Sequence, residues 1–117
     1  MISRYDIIKA VQPPKLLCPC QFLVPVNYND GTPVSPETIV AIAVVLNRQF
    51  GGYTKMGRNE GCWEGQIEEV IPYEVCVREE EIPSLKEVVM AIGKLLGQKK
   101  MYFKQGPPSV DLMDTSE

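Results

Sequence analysis

The sequence contains no histidine in 117 residues. Imidazole triads, the commonest general base and the commonest metal ligand are thereby excluded, so any chemistry must run on carboxylates, hydroxyls, thiols or the positioning of a substrate. Long hydrophobic runs are also missing. No segment approaches the roughly 18 apolar residues of a membrane span, and Met1 to Gln12 has no apolar signal-peptide core, so the cytoplasm is the expected location. No strong charge bias is present: 12 Lys and Arg against 15 Asp and Glu give a formal net charge of -3. The basic clusters at 48–58 and 99–104 read as solvated surface, which makes a nucleic-acid partner an unfavoured expectation. The four cysteines, Cys18, Cys20, Cys62 and Cys76, match neither a secreted disulfide framework nor paired zinc knuckles. Reduced thiols, no metal and no cofactor are expected.

What is present is an ordinary globular composition, 44% hydrophobic and 23% charged, in a chain long enough to close one core unaided. QFLVPVNY, residues 21–28, alternates with period two, and its Pro25 predicts a strand at an edge or a bulge. Ser35-Pro36-Glu37 predicts the start of a helix of about 15 residues ending at Gly51-Gly52. Ser84 to Glu87 has the form of a capping box opening a second helix that stops at Gly97. Between them, strands over 53–63 and 67–78 join in a hairpin around Glu64-Gly65-Gln66, and KMYFK, 100–104, predicts a closing strand.

The order strand, helix, strand, strand, helix, strand predicts an α+β, ferredoxin-like βαββαβ fold, a four-stranded antiparallel sheet with two helices on one face. The expected domain runs from 21 to 105. It follows an N-terminal extension, 1–20, compatible with a short helix over 3–11 and a connector at 12–15, and precedes an aperiodic, disordered tail at 106–117. The uncovered sheet face, carrying Leu23, Asn27 and Cys76, is expected to meet another copy of the chain.

GGYTKMGRNEGCW, 51–63, combines four glycines with the one tryptophan. Gly57 and Gly61 read as bulges that bend the strand and admit a ligand or another backbone. Tyr53 and Trp63 are candidate aromatic walls, although Trp63 equally suits core or interface packing. Glu60, Glu64, Glu68 and Glu69 crowd the hairpin; they are either ordinary surface charge or a site for a cationic ligand. The run Glu79-Glu80-Glu81 reads as a solvated loop. In NYNDG, the residues Asn27, Tyr28, Asn29 and Asp30 make either a plain turn or one rim of the same cleft.

The pieces QFLVPV, FGGYT, Gly61-Cys62-Trp63, Val75-Cys76-Val77 and KMYFK resemble the small phage-type S-adenosylmethionine lyases over residues 21–104. NYNDG, FGGYT and the Gly61-to-Trp63 piece are also similar to uncharacterised bacterial ferredoxin-like domains, which implies a fold and no activity. The lyase resemblance implies a homotrimer holding S-adenosylmethionine between subunits, where the substrate's own carboxylate attacks its γ-carbon to release methylthioadenosine and homoserine lactone. A related activity acts on the adenylylated compound, a signal of antiviral defence. The resemblance places the key glutamate at the start of the third strand, which favours Glu69 as the catalytic residue, with Glu68 and Glu74 as neighbours within the slip of the alignment. It makes Asn27, Tyr28, Asp30, Tyr53, Arg58, Gly61, Trp63 and Glu68 the substrate-binding set. Arg48, Lys55 or Arg58 would meet an added phosphate. A non-enzymatic oligomeric binding or regulatory module remains the alternative, followed by a small interaction protein.

Overall fold

The computed structural model describes residues 2–4 and 15–116. The short helix expected over 3–11 and the connector at 12–15 lie largely outside them. The elements are β1 (Cys18–Pro25), α1 (Pro36–Phe50), β2 (Thr54–Lys55), β3 (Asn59–Trp63), β4 (Gln66–Val77), α2 (Ile82–Leu95) and β5 (Phe103–Gln105). All pairs are antiparallel, in the order β2-β4-β1-β5, and β3 pairs with β4 further along the edge that β2 uses. Five segments therefore fill four strand positions, as the ferredoxin-like expectation requires.

Local chemistry explains where the elements start. Ser35 caps α1 by accepting the Thr38 N–H at 3.2 Å, Pro36 supplies a preset first residue, and the Gly51 N–H closes the helix on the Asn47 carbonyl. α2 opens at Ile82, two residues before the predicted cap at Ser84. Glu81 occupies the cap position without a side-chain bond into α2; its carboxylate instead accepts from the Arg78 backbone N–H and from its Nε, both at 3.0 Å, closing the turn before the helix. The run 79–81, expected as a loop, is thus a 3-10 turn that feeds the helix, and Pro83 fits the first turn because no N–H is needed there.

The first strand begins at Cys18 rather than Gln21 and is central rather than at an edge, lying between β4 and β5. Pro25 is tolerated because the Val26 N–H bonds to Glu69 O on β4, so the missing Pro25 donor points toward β5, which reaches only as far as Phe22. Phe22, Val24, Tyr73, Val75 and Val77 on one sheet face pack with Ile42 and Leu46 of α1, with Leu85, Val89 and Ile92 of α2, and with Leu96 just beyond it. Each such burial stabilises by about 1.5–3 kcal/mol. The Phe22 and Tyr73 rings stack at 5.4 Å across the β1–β4 pair. The segment beyond β5 is joined to the sheet as far as Val110, through Gly106 N–H to Pro19 O at 2.8 Å and Leu17 N–H to Val110 O at 2.8 Å.

Candidate functional site

The β3–β4 hairpin turns on Glu64 (φ 50) and Gly65 (φ 80) between the paired Trp63 and Gln66. Two positive φ values in a two-residue loop match the right-handed twist of the strands. Upstream, Lys55 pairs with Tyr73 and Asn59 with Val70, so residues 56–58 face only 71 and 72. That one extra residue is a β-bulge. Gly57 lies in it as expected, whereas Gly61 sits in regular register opposite Glu68 and is not bulged. Pro72 faces the bulge, where its missing donor leaves no ladder bond broken, and its carbonyl accepts the Met56 N–H at 2.9 Å.

The bulge reverses the face phase of the strand. Tyr53 lies on the helix-covered side, 5.7 Å from the Tyr73 ring, while Asn59, Gly61 and Trp63 share the open face with Glu68 and Val70. Trp63 is 52% exposed, and a methyl group built on Gly61 would touch the indole Nε1 at 3.6 Å. A small side chain would fit there; a larger one would push the ring away.

On this open face lies a groove of about 740 Å³, within the range of small-molecule sites. Leu23, Pro25 and Val70 give it an apolar floor, Trp63, Glu64 and Glu68 stand on the hairpin side, and Asn29 with Gln98 to Tyr102 forms the other side. This second wall comes from the segment expected to begin the closing strand, which starts only at Phe103. Met101 explains the difference: its side chain seats on α2 at Gly93, where an added Cβ would stand 2.5 Å from Met101 Cγ. Asn29 ties the same segment down, its Nδ2 donating to Gly97 O at 2.9 Å and its Oδ1 accepting from Gln98 Nε2 at 3.2 Å.

The proposed site residues therefore divide. Trp63 and Glu68 meet in the groove, with Gly61 beside the indole. Glu69 points to the opposite face, exposed, with Arg58 Nη1 3.5 Å from its carboxylate. Glu74 shares the open face but lies toward the far end of β4, opposite Gln21 and Thr54. Tyr28 is occupied locally: its hydroxyl lies 3.2 Å from Thr38 Oγ1 and accepts from Ser35 N–H at 3.4 Å, and these bonds hold its pKa below the usual tyrosine value. Asp30 accepts from Thr32 Oγ1 at 2.6 Å and Thr32 N–H at 2.9 Å, which lowers its pKa in the same way. Asn27 makes a bridge with Pro33. These three build the turn before α1 rather than the groove.

Sequence reading missed Lys99, Lys100 and Tyr102 as groove residues. The available signal was their place directly after the Gly97 stop, where a chain leaving a helix end must cross to the sheet. Among the described residues no cluster of three Cys, Asp or Glu could hold a metal ion, and no helix is long and apolar enough to cross a membrane.

No protein-family model matches the sequence, and no curated protein does. The fold is similar to that of a phage S-adenosylmethionine lyase solved in complex with S-methyl-5'-thioadenosine, at 12% identity and a TM-score of 0.59, covering 85% of this chain and 87% of that one. At that identity the likeness establishes a shared ferredoxin-like fold over most of both chains.

Proposed function

We propose that the protein is a carbon–sulfur lyase acting on S-adenosylmethionine or its adenylylated derivative, in an antiviral-defence or counter-defence context. The observation that carries this reading is the fold shared with the phage lyase across 85% of the chain, together with an open-face groove that sets an indole beside a carboxylate. In the reaction the substrate's carboxylate oxygen bonds to its own γ-carbon as the γ-carbon–sulfur bond breaks. The electron pair stays on sulfur, turning the sulfonium into neutral methylthioadenosine, or its adenylylated form, and leaving homoserine lactone.

That displacement takes no proton from the substrate and needs no nucleophile from the protein, which suits a chain without histidine. Holding the reactants in a near-attack geometry is worth up to about 7–11 kcal/mol in favourable intramolecular cases. Trp63 stacks on the adenine or faces the sulfonium, and Glu68 attracts the cationic end of the substrate. Glu69 serves as the catalytic carboxylate of an adjoining subunit's site in a homotrimer. Its exposure on the face away from its own groove fits that role, with the Arg58 guanidinium 3.5 Å from its carboxylate.

Chromatography of the purified protein incubated with S-adenosylmethionine, and separately with the adenylylated compound, tests the proposal. Methylthioadenosine or its adenylylated counterpart is expected from at least one; saturable binding without product from either would make the protein a non-enzymatic binding module.

A further inference from the structure

The wall formed by residues 98–102 carries two adjacent lysines on a segment fixed at both ends. α2 ends in a Schellman turn, with Gln98 N–H donating to Gly93 O at 2.8 Å and Gly97 N–H to Lys94 O at 3.1 Å. The chain is then held on both sides of Lys99-Lys100, by the Asn29 amide before them and by Met101 on Gly93 after them. Two cations are thus carried at the groove rim on a short, doubly anchored segment. Both are exposed, both line the groove, and neither forms an ion pair among the described residues. Across the groove, Glu64 and Glu68 are equally without ion-pair partners there.

The groove therefore has an acidic wall and a basic wall over an apolar floor, with Trp63 and Tyr102 each leaving a large part of its ring exposed. A complementary ligand has a cation at one end, an anion at the other and a flat ring between. In the reaction proposed above, the substrate carboxylate is the nucleophile. Pairing it with lysine would stabilise it before attack and slow the step, so the lysines serve a different anion. We infer that Lys99 and Lys100 form a phosphate subsite, which makes phosphate-bearing adenine nucleosides the preferred ligands of this groove. The inference rests on the nucleoside reading of the site.

The test compares adenosine 5'-monophosphate with adenosine, two probes that differ by the phosphate alone, and reads Trp63 fluorescence, which reports on the groove because the chain has one tryptophan. The monophosphate should bind about tenfold more tightly at low salt, with the advantage shrinking as salt rises. In K99Q/K100Q the ratio of the two affinities should fall to about one, and each single substitution should lower it in part. Equal binding of the two probes to the unsubstituted protein, or a preference that survives the double substitution, overturns the phosphate subsite and leaves the lyase proposal standing. Failure of both probes to bind overturns the nucleoside reading and the subsite with it.

Discussion

Replacing Gly93 by alanine places a methyl carbon 2.5 Å from Met101 Cγ and 3.2 Å from its Sδ. Carbon atoms in contact sit about 3.5–4.0 Å apart, so Met101 must withdraw by roughly 1–1.5 Å, and the groove wall that it anchors moves with it. Two effects oppose each other. Alanine favours a helix over glycine by up to about 1 kcal/mol, whereas overpacking typically costs about 1–3 kcal/mol. Gly93→Ala alone should therefore change stability by between zero and about 2 kcal/mol, in the destabilising direction. In a Met101→Ala background the obstacle is gone and the same substitution should stabilise by up to about 1 kcal/mol. Urea unfolding of the four proteins, followed by circular dichroism, measures the cycle, with a coupling of about 1–3 kcal/mol expected. An identical effect of Gly93→Ala in both backgrounds would refute the seating of Met101 on the helix as the reason residues 98–102 leave the sheet.

Other outcomes follow from individual contacts. Asn29→Ala removes both hydrogen bonds that tie down Gly97 and Gln98 and should cost on the order of 1 kcal/mol of stability, with weaker ligand binding as the wall loosens. Asn29→Asp keeps the acceptor for Gln98 but loses the donor to Gly97, so an intermediate loss is expected in the same assay. Glu69→Gln should abolish turnover while sedimentation still reports the oligomer of the parent, and Glu68→Gln should raise KM more than it lowers kcat; full activity in Glu69→Gln would remove that residue from the mechanism. For Glu81, the Arg78 backbone N–H and then its side chain hold the carboxyl below its ordinary value of 4.5. Its contribution is therefore complete above that value and is lost as pH falls through the lowered folded pKa. Glu81→Ala removes its bonds to Arg78 and should cost on the order of 1 kcal/mol at neutral pH, and the urea-midpoint difference from the parent should shrink in acid; a difference unchanged at about pH 2 would contradict a stabilising role for those bonds.

The helices and the hairpin were legible in the sequence because their signals are local. Ser35-Pro36 and Gly51 bound α1 by short-range hydrogen bonds, and Glu64-Gly65 fixes a two-residue turn by backbone conformation alone. The groove was less legible because its phase depends on a single inserted residue. Tyr53 and Trp63, ten positions apart, would share a face of an unbroken strand; the bulge at 56–58 sends them to opposite faces, and its marker is Pro72 on the partner strand. The segment KMYFK was expected as a strand throughout, but the contact between Met101 and Gly93 that keeps its first three residues off the sheet is made between residues of different elements. NYNDG carried an ambiguity that composition cannot resolve: Tyr28 and Asp30 spend their polar groups on the helix cap and the turn, and only Asn29 reaches the groove rim. Even the central place of β1 turned on which edge the Pro25 nitrogen faces, which becomes visible only with the register.

The most direct test of the central claim is proton NMR of S-adenosylmethionine and of its adenylylated form incubated with the protein, quantifying the thioether product and the four-carbon product together. The account predicts one equivalent of homoserine lactone for each equivalent of methylthioadenosine or its adenylylated form, at a rate far above the protein-free control. An unchanged substrate spectrum for both compounds, or homoserine formed in place of the lactone from the first time point, would contradict an intramolecular lyase.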